Sequence, residues 1–160
     1  MNERLLEIIE NNGDISLEQL AIMTDMSVEE VGALLDKMKN DLIIRGQKTI
    51  IDWSKTKKEV VTALIELKVT PQRGDGFDRI AERIYKFPEV QSLYLIAGGY
   101  DLMVTIEHDT MQEVAHFVSS RLATMDSVIS TSTHFILKKY KYEGFIFDEE
   151  EKDERQVITL

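Results

Sequence analysis

The chain has 160 residues, of which 43% are hydrophobic and 30% charged. This length is enough for one medium domain or two small ones and too short for a large multidomain enzyme. It contains no cysteine, and this excludes disulfides, thiolate metal sites and a cysteine nucleophile. No apolar run is long enough to span a membrane and the N-terminus lacks the pattern of a signal peptide, so we expect a cytoplasmic protein.

The net charge of −10 is unevenly distributed along the chain. Residues 1–53 carry five basic and eleven acidic side chains, residues 54–147 are balanced, and residues 148–160 carry six acidic and two basic side chains. We interpret residues 148–160 as a solvated acidic tail. The acidic first block disfavours strong binding to nucleic acid, because affinity for duplex DNA depends largely on neutralised phosphates.

The first part of the chain has the pattern of three helices followed by a wing. Apolar residues at helical spacing predict a helix over residues 3–11, and Ser16 begins a second one. Ser27, with Glu30 three residues later, predicts a capping box that begins a third helix. The buried stripe expected on that helix consists of Val31, Leu34, Leu35, Met38 and Leu42. The last two helices predict a helix-turn-helix, and residues 42–51 predict two short strands around a glycine turn, which form a wing.

The rest of the chain up to residue 147 has the pattern of six elements in the order βαββαβ. The expected strands are residues 60–69, 90–97, 100–107 and 128–140. The expected helices are residues 75–86, with Phe77, Ile80, Ala81, Ile84 and Tyr85 inward, and a helix capped by Thr110, with Val114, Phe117, Val118, Leu122 and Met125 inward. Gly98 and Gly99 predict a tight hairpin turn. The order is typical of a ferredoxin-like sandwich, and apolar residues expected on its uncovered sheet face predict a homodimer.

Two motifs of this second part resemble those of a known family. They are Gly99-Tyr100-Asp101-Leu102-x-Val104 and Val128-x-Ser130-Thr131-x-Thr133-x-x-x-Leu137-Lys138, which are similar to the hairpin and the closing strand of the Lrp/AsnC transcription regulators. The resemblance implies an α+β fold, in which a winged helix-turn-helix precedes a ferredoxin-like βαββαβ (RAM-type) domain. It also implies a DNA-binding regulator rather than an enzyme, which responds to an amino-acid effector and assembles as homodimers into a higher oligomer, an octamer.

The resemblance is weakest where DNA would be contacted. The third helix of the family usually carries basic residues, whereas this chain has Gly32, Ala33 and Leu34 there, and Leu42 stands where the helix of the family ends in glycine. Glu29 can accept a hydrogen bond from a cytosine amino group, although it equally suits the helix dipole. The predicted DNA-contacting residues are Ser27, Glu29, Lys37, Arg45 and Lys48.

The glycine hairpin is the predicted effector site. Backbone amides freed at the glycines would bind a carboxylate, and Asp101 would bind the α-ammonium group of a free amino acid. The alternative is structural, with Asp101 accepting hydrogen bonds from nearby amides in a tight turn. The predicted effector-binding residues are Gly98, Gly99, Tyr100, Asp101, Thr131 and Thr133. The three histidines lack metal-ligand spacing, and we expect neither a metal nor a resident cofactor.

Two alternatives remain open at this point. The acidic first domain is compatible with an amino-acid sensor or adaptor of the same fold that does not bind DNA. Siroheme decarboxylases are similar in architecture, but their hairpin carries a histidine. This chain has Gly98-Gly99-Tyr100-Asp101-Leu102-Met103 at that place, which disfavours the enzyme.

Overall fold

The computed structural model describes residues 3–71, 74 and 76–148. The chain forms two compact units, Met1–Ile51 and Asp52–Leu160, so their boundary lies two residues before the predicted one. Within the described part of the chain, no helix is long and apolar enough to cross a membrane.

The first unit consists of the three expected helices. They are α1 (Glu3–Asn11), α2 (Leu17–Thr24) and α3 (Val28–Asn40). Ser16 and Ser27 form capping boxes at the starts of α2 and α3, in which serine and the third helical residue satisfy each other's backbone amides. The buried residues Leu5, Leu20, Ala21, Val31 and Met38 hold the three helices together.

The end of α3 differs from the prediction. The N–H groups of Leu42 and Ile43 donate to the carbonyl oxygens of Lys39 (3.0 Å) and Met38 (2.9 Å), which is a Schellman ending. Leu42 adopts a φ of 59° and is 57% exposed, so its predicted place in the buried stripe is wrong. The predicted wing is also wrong as a pair of strands, because residues 42–51, all described, follow this ending without pairing to any strand.

The second unit contains the expected βαββαβ core as a four-stranded antiparallel sheet in the order β2-β3-β1-β4. Its elements are β1 (Val61–Val69), α4 (Asp78–Tyr85), β2 (Val90–Leu95), β3 (Leu102–His108), α5 (Met111–Phe117) continued by a π-helical turn (Val118–Leu122), and β4 (Val128–Phe135). The buried alternate residues of β1 and β3, with Ile84 and Leu122 from the helical layer, form one hydrophobic core.

Several elements are shorter than predicted, and one element was not predicted. β2 ends at Leu95 and β4 at Phe135, while α4 begins at Asp78 and leaves Tyr85, which was expected inward, 57% exposed. A small hairpin follows the sheet and pairs β5 (Lys141–Tyr142) with β6 (Phe145–Ile146). Of the acidic tail, only Asp148 is among the described residues, and it accepts a hydrogen bond from Lys138.

The sheet face opposite the helices is largely polar, which differs from the apolar face expected from the sequence. Leu64 and Met103 are half-buried there and Tyr94 is 53% exposed, but the face also carries charged and polar side chains. The ammonium group of Lys139 lies 3.8 Å from the carboxylate of Glu107, so the segment after β4 covers part of this face.

Candidate nucleic-acid interface and effector site

The outward side of α3 is the candidate surface for DNA. Residues spaced three or four apart share one side of a helix, which places Glu29 and Lys37 on the same side, with Ala33 and Asp36 between them. All four are exposed. The side therefore carries two acidic groups and one basic group, and α3 alone contributes little attraction for phosphates.

Ser27 has a structural task in the chain itself. Its hydroxyl accepts a hydrogen bond from the Glu30 amide at 3.2 Å, and its own amide donates to the Glu30 carboxylate at 2.9 Å. The pKa of Glu30 is lowered by the hydrogen bond from the Ser27 backbone and then by the Ser27 side chain. Ser27 thus fixes the start of α3, where it lies exposed beside Glu29.

The two remaining predicted DNA contacts lie after α3. Arg45 and Lys48 are exposed, and the neighbouring Gln47 side chain donates a hydrogen bond to the Gly13 carbonyl at 3.1 Å. This bond attaches the segment to the loop between α1 and α2, although it forms no wing strand. Arg45 and Lys48 are therefore held near the helical unit, as phosphate contacts require.

The glycine hairpin is a wider loop than the two-residue turn that was predicted. The Ile96 amide donates to the Asp101 carbonyl at 2.9 Å and closes a loop of four residues, 97–100. Neither Gly98 nor Gly99 has a positive φ, and a Cβ added to either would contact nothing within 4 Å. Among the described residues, no group accepts a hydrogen bond from the amides of Gly98, Gly99 and Tyr100. They are available to an anion.

Asp101 is bound at both carboxylate oxygens. Oδ2 accepts a hydrogen bond from the Val69 amide at 2.9 Å, and Oδ1 lies 3.0 Å from the Lys68 ammonium group. The Val69 hydrogen bond and then Lys68 hold the pKa of Asp101 below its ordinary value. Asp101 therefore has the structural role that was one of its two sequence-based alternatives. The Lys68 ammonium group occupies the place beside Asp101 that was predicted for the ammonium group of an effector.

Thr131 and Thr133 are not brought to the hairpin. They lie on β4, which pairs with β1 and not with β3, and they stand opposite Leu67 and Ile65 in that pairing. Residues directly opposite each other share a face of the sheet, so both threonines point towards the helix-covered side. Lys68, which contacts Asp101, lies on the other side of β1.

An open groove lies between α4 and the edge strand β2. Its volume is about 340 Å³, which is at the lower end of the range for small-molecule sites. Phe77, Ala81 and Tyr85 line it from the helix side, and Leu95 and Leu102 line it from the sheet. Leu95 pairs with Leu102 directly before the glycine loop, so the groove reaches the base of that loop. Sequence reasoning missed this groove because Tyr85 was assigned to the core.

Among residues 3–71, 74 and 76–148, no three histidine or acidic side chains lie close enough together to hold a metal ion.

The first unit contains a helix-turn-helix and the second has a ferredoxin-like fold with an exposed glycine loop, and this architecture alone does not determine a function. Residues 62–145 match the family model of the Lrp/AsnC ligand-binding domain. The HTH-type transcriptional regulator YugG of Bacillus subtilis is 49% identical over 156 residues, which cover 97% of this chain and 94% of the relative. The chain belongs to the Lrp/AsnC family of transcription regulators.

Solved structures of this family share the fold at low sequence identity. Escherichia coli AsnC is 20% identical with a TM-score of 0.65, and the match covers 86% of this chain and 91% of the other. The complex of the transcriptional regulator NMB0573 of Neisseria meningitidis with L-Met is 20% identical with a TM-score of 0.68, covering 86% and 88%.

The relatives confirm the predicted class. This protein is a transcription regulator of the helix-turn-helix type with a C-terminal ligand-binding domain, and its relatives are regulators rather than enzymes.

Proposed function

We propose that the regulator contacts duplex DNA through α3 and the segment that follows it, and that a free amino acid bound at the loop 97–100 controls this contact in the cytoplasm. The observation that carries the DNA contact is the pair α2 and α3, joined by a three-residue turn with the outer side of α3 exposed. The proposed contacts are Ser27, Glu29, Lys37, Arg45 and Lys48.

Three consecutive backbone amides support a carboxylate at the loop. The amides of Gly98, Gly99 and Tyr100 have no acceptor within the described chain, and the glycines leave the backbone uncovered. The groove that begins at the base of the loop is lined by polar as well as apolar residues, and its Phe77, Leu95 and Leu102 side chains could contact an apolar side chain of the effector. A structural relative was solved with L-Met, an amino acid of this kind. Thr131 and Thr133 point to the other side of the sheet, so they are the weakest members of the proposed site.

The proposal includes self-association of the protein. Leu64, Met103 and Tyr94 on the open sheet face suit pairing with a second copy, and dimers would assemble into a higher oligomer such as an octamer. Many DNA-binding units in one assembly raise the effective concentration of each, which offsets the acidic charge of a single unit. An effector regulates such an assembly only if it binds two assembly states with different affinities.

The test is an electrophoretic mobility shift of the full protein on the DNA upstream of its own gene. The shift is measured at two salt concentrations, with and without a mixture of apolar amino acids, and a mixture of charged amino acids is the control. We expect a shift that weakens with salt and responds to the apolar mixture alone. Light scattering on the same samples should show a change in particle mass with the effector.

The acidic surface of α3 favours a second candidate, an amino-acid sensor that does not bind DNA. Glu29 and Asp36 flank the exposed side of the helix, and Lys39 lies 4.0 Å from Asp36. A folded, oligomeric protein that gives no mobility shift at low salt, but binds an amino acid in calorimetry, would establish this candidate and overturn the first.

A further inference from the structure

The chain becomes basic at the junction between its two units. Residues 1–44 hold three basic and ten acidic side chains, whereas residues 45–58 hold five basic side chains and one acidic residue, Asp52. Three of these five are Lys55, Lys57 and Lys58, which we call the linker lysines. They were not among the residues predicted to contact DNA, because the charge was counted by domain and they fall in the balanced block.

The linker lysines lie on an ordered turn. Asp52 caps a short 3₁₀ turn, Trp53–Lys55, by accepting a hydrogen bond from the Ser54 amide at 3.1 Å. The Thr56 hydroxyl donates to the Trp53 carbonyl at 2.9 Å and accepts from the Lys58 amide at 3.1 Å. All three lysine side chains are exposed, so three cations lie at the surface within four consecutive residues.

Several lysines elsewhere in the second unit have acidic partners, which the linker lysines lack among the described residues. Lys86 lies 2.7 Å from Glu82, Lys138 lies 2.5 Å from Asp148, and Lys139 lies 3.8 Å from Glu107. In the part of the chain that the structure describes, none of the linker lysines has a carboxylate within ion-pair distance. Lys58 instead lies over the Trp53 ring, 4.6 Å from its centre, which leaves its charge uncompensated.

We propose that the linker lysines bind the phosphate backbone of duplex DNA beside the segment contacted by the helix-turn-helix, and so supply the phosphate contacts that α3 lacks. This inference rests on the proposed function, since it needs the protein to bind DNA. Lys55 follows Lys48 by seven positions, and a chain of seven residue steps spans at most about 24 Å. Because duplex DNA carries one charge per roughly 1.7 Å of its axis, phosphates are available throughout that reach.

The proposal predicts a defined change in salt dependence. Each phosphate contact contributes about 0.9 to the slope of log K against log salt concentration, so losing three should lower the slope by about 2.7 per bound unit. Affinity at 0.1 M salt should fall by at least about tenfold. The loss should be similar on the specific and on a scrambled duplex, because phosphates carry no sequence information.

The experiment measures fluorescence anisotropy of labelled duplexes with the full-length protein over a series of salt concentrations. The test variant is K55Q/K57Q/K58Q, and the matched control is K86Q/K138Q/K139Q, which removes the same charge from three ion-paired lysines. The variant K55R/K57R/K58R keeps the charge and should keep the slope. If the triple glutamine variant misfolds, K57Q alone should lower the slope by about 0.9.

The outcomes separate the two proposals. Wild-type protein that shows no salt-dependent DNA binding overturns both. Wild-type protein that binds while the test variant keeps the wild-type slope, or loses no more than the control, overturns only the role of the linker lysines. A slope reduced in the test variant and retained in the arginine variant and the control supports it.

Discussion

Lys68 of β1 and Asp101, the residue directly before β3, form an ion pair, with the Lys68 ammonium group 3.0 Å from Oδ1 of Asp101. The second carboxylate oxygen accepts the Val69 amide, so Asp101 attaches the end of the glycine loop to two consecutive residues of β1. The Asp101 amide also donates to the Leu67 carbonyl at 3.0 Å. This bonding prepares the loop 97–100 as a fixed frame for the backbone amides that we propose bind the effector.

Stability should therefore depend on the charge of Asp101. The Val69 amide and Lys68 lower its pKa, so its stabilising contribution is present above the unfolded pKa of about 3.9 and is lost as pH falls through the lower folded value. We expect D101N to melt below the wild type at pH 7, with the difference shrinking as pH falls from 4 to 2. Melting temperatures of both proteins over this range check it, and a difference that is constant with pH would contradict it.

The glycines of the loop should matter for the effector more than for the fold. G98A and G99A add a Cβ that meets no atom within 4 Å, and neither position has a positive φ, so we expect melting temperatures close to that of the wild type. Each Cβ would crowd the proposed carboxylate site, and binding of an apolar amino acid should weaken at least tenfold in calorimetry. G13A, which is equally open but lies in the first unit, is the control. Unchanged effector binding in both loop variants would argue against the site.

The sequence predicts the sheet well where burial alternates strictly. Ile65 and Leu67 on β1 are buried and alternate with Glu66 and Lys68, so a strand follows from the pattern alone. The same pattern does not determine which strands become neighbours. β1 lies between β3 and β4, and this topology separates Thr131 from the hairpin with which the sequence grouped it.

The sequence predicted two wing strands that do not form and missed the hairpin of β5 and β6, and both errors have local causes. Residues 42–51 are rich in isoleucine and resemble strands, but the hydrogen bonds of Ile43 and Ile44 to the Met38 carbonyl direct the chain out of α3 without a pairing partner. The hairpin of β5 and β6 was missed because its turn has glutamate at the first position. Glu143 and Gly144 both have positive φ, as a type I′ turn requires, and asparagine or glycine is more usual at that first position.

Ser27 should show a structural and a DNA-binding effect that can be separated. S27A removes the cap of α3 and should cost about 1 kcal/mol in the opening free energy of the first unit, measured by amide hydrogen exchange. S27D preserves the cap because aspartate also accepts a hydrogen bond from the Glu30 amide, but it adds a negative charge at a proposed contact with DNA, whose phosphates are negatively charged. We expect the α3 amides of S27D to keep their protection from hydrogen exchange. The affinity of S27D for DNA should fall about tenfold at low salt.

The control for Ser27 is the other capping box. S16A should cost a similar amount at the start of α2, since Ser16 and Gln19 form the same pair of hydrogen bonds. It adds no charge near α3 and should leave DNA affinity unchanged under conditions where the first unit is folded. If S27D binds DNA as tightly as the wild type, Ser27 is a capping residue only.

Leu42 should limit the stability of the first unit. It occupies the left-handed position of the Schellman ending, with a φ of 59°, and its side chain is 57% exposed and contributes little burial. A residue with a Cβ pays about 1 kcal/mol or more for this conformation, and glycine does not. We expect L42G to raise the opening free energy of α3 by about 1 kcal/mol, because relief of this strain exceeds the entropy that glycine adds to the unfolded chain.

The matched variant is L42A, which removes the side chain but keeps the Cβ and its strain. Peptides from α3 in the full protein should be more protected from hydrogen exchange in L42G than in L42A or the wild type. Peptides from β1 and β3 should exchange at the same rate in all three proteins and serve as an internal reference. A gain in L42A equal to that in L42G would mean that the exposed leucine side chain, and not the left-handed backbone, is the unfavourable feature. Protection lower in L42G than in L42A would contradict the strain argument directly.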